Sequence, residues 1–317
     1  MRRRGAVLGL ALALAAGLTL SGARLAVSQA IAIVAMRAPS PVPWQEPWAG
    51  FWGDVRMMPL PLSAQASVAP KGGKRLTLEA GAVHDGENLF VILEWPDASP
   101  SDSVSRTEHF TDAIAVQFPS EAGVGVPALC MGATDAAVNI WQWRAAWQTE
   151  LERGSAPSIL QTYPDAVVDS YPFEGEELYQ PGRAVGNPFA EALRVSAVDN
   201  LVAGGFGSLT ADPLAAVAGW GQWRQGTWRV VLTRPLQVGR EGNIELGNGA
   251  NTDVAFAVWD GAAQERDGMK SVSTFAKLEI SNEPLASGIG MAWWLPAVAI
   301  LAALAVWLGL RAGRSSA

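Results

Sequence analysis

The sequence predicts a mainly β protein, an antiparallel β-sandwich with long loops, set between an N-terminal signal or anchor and a C-terminal transmembrane helix. Three observations lead there. Short runs of alternating or β-branched and aromatic residues recur along the body, each closed by Gly, Pro, Asn or Asp, as antiparallel strands are. Two tight hairpin turns can be read directly from the chain. No amphipathic helical pattern longer than about three turns competes with them.

Taken in order, "RAPSPVPWQEPW" is a proline-punctuated lead-in that cannot continue as helix. Strands are then expected at "RLTLEAGAV", "NLFVILEW", "AIAVQF", "AVNIWQW", "LRVSAV", "AGWGQWR", "TWRVVL", "DVAFAVW" and "STFAKLEI". Asp85-Gly86 turns the first hairpin and Gln225-Gly226 a later one. Between the strands, roughly residues 150 to 190 are polar, aromatic and proline-rich; a loop of that length serves function or partners, or is a disordered insertion.

The ends speak to location. Arg2, Arg3 and Arg4 precede the apolar run "GAVLGLALALAAGLTL" and the small residues of "GARLAVSQA", the layout of an export signal or an uncleaved anchor over residues 1–30. "MAWWLPAVAILAALAVWLGL", residues 291 to 310, carries no charge and has the length of a bilayer-spanning helix, with Arg311 and Arg314 after it. The expected organisation is therefore a folded body over 31–286, a transmembrane helix over 287–312 and a short cytoplasmic tail over 313–317. The body faces the periplasm or the extracytoplasmic side.

Composition excludes several functions. A net charge of -7 with no Lys/Arg cluster in the body argues against nucleic acid. The single cysteine, Cys130, rules out an internal disulfide, a Cys-based zinc site and covalent c-type haem attachment. His84 and His109 are the only histidines, so a metal held by protein needs other ligands. No nucleophile elbow, P-loop or dinucleotide fingerprint is present, so no autonomous catalytic site is expected. Carboxylates such as Asp169, Glu174, Glu176 and Glu177 read as an acidic surface loop, and Asp102 and Asp112 as turn and strand-edge residues. Trp141 and Trp143, two apart on a strand, share one face. Three uses are open to that face: core, a platform for carbohydrate in a membrane-tethered binding module, or a wall against a flat apolar cofactor.

Four stretches in this order, "HDGENLFVILEWPDAS", "FTDAIAVQFP", "CMGATDAAVNIWQWRAAW" and "VAFAVWDGAAQERDGMKSVSTF", resemble the haem b-binding gamma subunits of dimethyl sulfoxide reductase-type molybdoenzymes, with the ethylbenzene dehydrogenase gamma subunit as reference member. The resemblance spans roughly residues 44 to 282. It implies one non-covalent haem b in a β-sandwich, held by a Met thioether and a Lys amine. The family's Met-Gly step before the N-x-W-x-W strand matches Met131 and Gly132, and its lysine matches Lys270 in "DGMKSVS". A thioether is a soft axial ligand that favours ferrous iron, and a lysine binds iron only as the neutral amine. Trp141 and Trp143 are then expected to line the haem pocket and Arg144 to meet a propionate. Met269 is the alternative thioether, while His84 and His109 are expected to be structural or propionate-side groups. The resemblance further implies an electron-transfer role, with an iron-sulfur subunit and a molybdopterin-containing catalytic subunit as partners. Cytochrome c or a quinone-linked membrane protein is the expected external carrier. The C-terminal span departs from the soluble members of the family.

Overall fold

A computed structural model describes residues 31–121, 131–133, 135–154, 159–167, 181–185, 187, 190, 194–205, 207–212 and 217–286. The N-terminal segment, the expected span at 291–310, Cys130 and much of the 150–190 loop lie outside the described residues. Among the described residues no helix is long and apolar enough to cross a membrane.

The strands are β1 (Ala32–Arg37), β2 (Met58–Ala64), β3 (Leu76–His84), β4 (Asn88–Pro96), β5 (Ala113–Pro119), β6 (Val138–Arg144), β7 (Val198–Ala203), β8 (Thr210–Ala211), β9 (Ala218–Arg224), β10 (Thr227–Pro235), β11 (Asn251–Trp259), β12 (Ser271–Ser273) and β13 (Ala276–Pro284). Their hydrogen-bonded order is β8-β7-β6-β5-β11-β12-β2-β3-β4-β10-β9, with β1 and β13 off this path. Pairing along the path is antiparallel, as expected. The exception is β1, which runs parallel to both β13 and β3. Both expected hairpins form: Asp85 Oδ1 accepts the backbone N–H groups of Glu87 and Asn88 at 2.9 and 2.7 Å, and Gln225 and Gly226 both take positive φ between β9 and β10.

The sheet folds over itself so that β6 faces β4 and β10. Alternation sends Asn139, Trp141 and Trp143 of β6 inward, all with 0% exposure. The Trp143 ring meets Trp228 at 5.1 Å and Trp95 at 6.4 Å between centroids, edge to face in both cases, and such pairs add about 0.5–1.5 kcal/mol beyond their buried area. Immediately after β6, Ala145 and Ala146 start helix α1 (Ala145–Arg153), which ends where Gly154 takes the left-handed conformation and donates to Leu151 O. Its Gln148 locks the helix to the core, accepting from Trp143 Nε1 at 2.9 Å and from Gly221 N at 2.6 Å. Two further one-turn helices, α2 (Ile159–Thr162) and α3 (Pro181–Ala184), belong to the long loop.

One expected strand moves. "LRVSAV" predicts a strand over 193–198, whereas β7 begins at Val198 and pairs Val198–Ala203 with β6. Leu201 and Ala203 supply the buried face there.

Candidate functional site

The outward face of the β6-β5-β11 strands carries small side chains. Register sets them in rows: Trp259, Ala113 and Arg144; then Ala257, Ala115 and Gln142; then Ala255, Gln117 and Ile140. The same strands turn Ile114, Val116, Phe118, Phe256 and Val258 to the opposite face, all nearly fully buried. Because four of the nine outward positions are alanine, the sheet leaves depth above it. That depth is a cavity of about 790 Å3, inside the range of about 300–1,000 Å3 typical of cofactor and ligand sites.

Met131 and Lys270 both line this cavity. They come from opposite ends of the floor. Met131 precedes β6 and packs against the apolar cluster of the floor, and its neighbour Gly132 stands beside Ala203 O and Val138, at the end where Val138 pairs with Pro119. Lys270 precedes β12, whose Ser271 pairs with Val258, beside the Trp259, Ala113 and Arg144 row. Six residue steps of β5 separate the two ends, about 20 Å at a strand's rise, and both residues border the one cavity that spans them. Met131 has φ 69°, a conformation uncommon for a residue with a Cβ. Gly132 follows with φ 77°, and a Cβ there would stand 2.6 Å from Ala136 O; the Met-Gly step is therefore a backbone requirement of the turn that presents the thioether.

The Lys270 amine nitrogen lies 5.0 Å from the centroid of the Trp259 ring. Trp259 in turn donates its Nε1 hydrogen to Asp267 O at 3.1 Å. Arg144 also lines the cavity, ion-paired with Asp199 at 2.8 Å and bonded to Gln142 Oε1 at 2.8 Å. Burial lowers the Arg144 pKa and raises that of Asp199, and the attraction between the two opposes both shifts. Beside it, the buried Trp147 ring carries guanidinium carbons of Arg144 and Arg194 at 4.1 and 3.7 Å from its centroid. At the rim, His109 and Arg266 are exposed, and Arg266 lies over Phe110 at 4.5 Å.

Two expected wall residues sit elsewhere. Trp141 and Trp143 do not border the cavity; they project from the other face of β6 into the inter-sheet core. The reason is that the larger side chains of β6 fill the fully buried face, while the half-buried Gln142 and Arg144 lie on the face with the cavity. Trp141 bonds Asn139 Oδ1 at 3.0 Å and lies 4.8 Å from the Arg234 guanidinium, a buried cation whose pKa is lowered by desolvation to about 10. Full burial also removes this pair as an exposed platform for carbohydrate. His84 is buried off the cavity, its Nε2 2.8 Å from Ser281 O. Met269, the alternative thioether, does not line the cavity although its neighbour does.

Residues that the sequence did not single out complete the site: Trp259, Trp147, the alanine rows, and a buried Gln65 at the wall. Behind the rim residues Phe110 and Thr111, Asp112 has 0% exposure and holds four segments together. Its carboxylate accepts from Ser101 N at 2.6 Å, Trp228 Nε1 at 2.9 Å and Gly261 N at 2.8 Å. Asp97 and Asp260 stand close to it, and Lys74 bonds Asp260 at 2.5 Å to compensate that charge.

A thioether and an amine lining one largely apolar cavity suit a haem by their chemistry, the thioether as soft ligand and the amine as nitrogen donor. Comparison with known proteins points the same way. The family described as Ethylbenzene dehydrogenase matches residues 49–271. A Haloferax mediterranei protein described as the heme subunit ORF7 of a respiratory nitrate reductase is 28% identical over 231 residues, 72% of this chain and 66% of that relative, just short of two thirds of its length. The chlorate reductase subunit gamma of Ideonella dechloratans is 28% identical over 86% of this chain and 94% of its own. The dimethylsulfide dehydrogenase subunit gamma of Rhodovulum sulfidophilum is 28% identical over 59% of this chain and 54% of its own. Among solved structures, a family 9 carbohydrate binding module from Caldicellulosiruptor kristjanssonii in complex with glucose aligns at TM-score 0.39 and 10% identity, over 81% of this chain and 99% of that one. With the match covering more than half of its length, and with the Met and Lys positions brought to one cavity, the chain belongs to the ethylbenzene dehydrogenase family.

Proposed function

We propose that this chain carries one non-covalent haem b and passes electrons between an iron-sulfur subunit and an external carrier, within an exported, membrane-anchored molybdenum oxidoreductase complex. The observation that carries the proposal is the arrival of Met131 and Lys270 in one cavity from opposite strand ends. When bound, the haem supplies a one-electron carrier, and the chain is a non-catalytic subunit of its complex. Met131 offers a soft sulfur that stabilises the reduced state. Lys270 would supply the nitrogen ligand as the neutral amine, its proton released to solvent, and in the charged form the amine lies against the Trp259 face at 5.0 Å. The alanine rows exclude water and admit a flat apolar body. Arg266 and His109 at the mouth, and Arg144 at the end of the floor, would meet the propionates.

The relatives named as gamma subunits support membership of a multi-subunit complex; the proposed partners are a molybdopterin-containing catalytic subunit and an iron-sulfur subunit, with cytochrome c or a quinone-linked membrane protein as external carrier. Anchoring rests on the charge-free residues 291–310 followed by Arg311 and Arg314. The test is purification of the full chain from cells supplied with iron and haem precursor, followed by pyridine haemochrome analysis. One haem b per folded chain, with no turnover of nitrate, chlorate or dimethyl sulfide by the chain alone, is the expected result. A folded, colourless chain overturns the proposal. A chain ending near Ser287 is expected to be soluble and still coloured.

A further inference from the structure

We infer that Gln65 is the positioning residue that fixes Lys270 for iron ligation, an inference that rests on the ligand reading proposed above. Gln65 is 5% exposed and borders the cavity. Its backbone N–H donates to Lys270 O at 2.9 Å, and its side-chain Nε2 donates to Gly268 O at 2.9 Å. One residue therefore grips the lysine-bearing segment at two carbonyls, two positions apart. The same amide is held at its own end, where Nε2 donates to Val68 O at 2.7 Å and Oε1 accepts from Ser67 N and Val68 N at 2.5 and 2.8 Å. Only an amide satisfies that set, because it offers donors toward two carbonyls and an acceptor toward two N–H groups.

The contact is close along its whole length. Lys74 N donates to Ser271 Oγ at 3.0 Å. Gly73 has φ 102°, and a Cβ on it would stand 2.1 Å from Lys270 O. Lysine has four rotatable side-chain bonds, so its own packing cannot hold a nitrogen at bonding distance from iron; the entropy of that stem favours release. A fixed backbone origin limits the loss, and Gln65 provides it.

The test uses the haem-loaded full chain and reads carbon monoxide affinity of the ferrous protein by absorbance, alongside the low-spin fraction of the ferric protein. The soft thioether is the stronger ligand to ferrous iron, so carbon monoxide would replace the lysine nitrogen, and the released amine would take a proton from water. Gln65→Ala and Gln65→Met, the latter preserving side-chain volume, are compared with wild type, Lys270→Ala and the double variants. Expected is at least a tenfold gain in carbon monoxide affinity for either Gln65 variant, and no further gain when it is combined with Lys270→Ala. Haem-loaded Gln65 variants with wild-type carbon monoxide affinity overturn the inference, as does a gain that adds in full to that of Lys270→Ala. If neither Gln65 variant retains haem while Lys270→Ala does, Gln65 builds the pocket and does not position the lysine, which also overturns it. The underlying ligand reading fails separately, when Lys270→Ala alone leaves spectrum and carbon monoxide affinity unchanged.

Discussion

The amine nitrogen of Lys270 lies 5.0 Å from the centroid of the Trp259 ring, and that ring is tied through Nε1 to Asp267 O, three residues before the lysine. One indole thus holds both ends of the segment that offers the amine. Trp259→Ala removes a buried ring and its hydrogen bond, and is expected to cost about 3 kcal/mol of unfolding free energy in urea titration. The low end of the usual range applies because one face of the ring borders the cavity. Trp259→Phe keeps a ring under the amine and loses one hydrogen bond, with an expected cost of about 1 kcal/mol. Equal costs for the two variants would contradict the role given to the ring.

Depth above the sheet comes from alanine at 113, 115, 255 and 257. Ala257→Leu adds volume into open space, so the fold should survive with a stability change under about 1 kcal/mol. Haem occupancy should fall at least tenfold, read as haem per chain. Full haem loading of the folded variant would place the cofactor elsewhere.

Asp112 supplies a pH signature. Burial is the largest cause that pushes its carboxyl up to about 7, aided by the charge of Asp97 and opposed by the N–H donors of Ser101, Gly261 and Trp228. An unfolded Asp titrates near 3.9. Between about pH 4 and 7 the native state therefore keeps a proton that the unfolded state has lost. This contribution is complete below about pH 4 and is lost as pH rises toward 7, by up to about 1.4 kcal/mol per pH unit. Asp112→Asn does not titrate, so the stability advantage of wild type over the variant should shrink as pH rises through that window and level off above about 8. Denaturant unfolding at a series of pH values measures it, and an advantage that grows with pH would reverse the assignment.

Much of the sheet was legible because its strands alternate and its turns carry Asp-Gly and Gln-Gly. What escaped was which face of β6 borders the cavity. Trp141 and Trp143 mark the filled side, so the open side falls to Ile140, Gln142 and Arg144, of which only Arg144 was expected there. The signal was present in the neighbouring strands, where Ala113 and Ala115 alternate with Ile114 and Val116, and Ala255 and Ala257 with Phe256 and Val258: small on one face, large on the other. Met131 and Lys270 were singled out through motif order, and both line the cavity. Nothing local marks them, since Met131 depends on a left-handed turn and Lys270 on a segment held by Gln65, 205 residues away. The parallel pairing of β1 with β13 joins residues more than 240 apart, and Asp112 draws two of its three partners from more than 100 residues away. Alternation carries no information about either.

The central claim is that Met131 and Lys270 are the two axial ligands, and low-temperature electron paramagnetic resonance of the ferric protein, paired with redox titration, tests it most directly. Wild type should be low-spin. Lys270→Ala should turn high-spin or water-ligated, and Met131→Ala should lower the midpoint potential while retaining haem. Met269→Ala and His84→Ala should match wild type. A low-spin signal that survives Lys270→Ala and disappears in His109→Ala or His84→Ala would contradict the account.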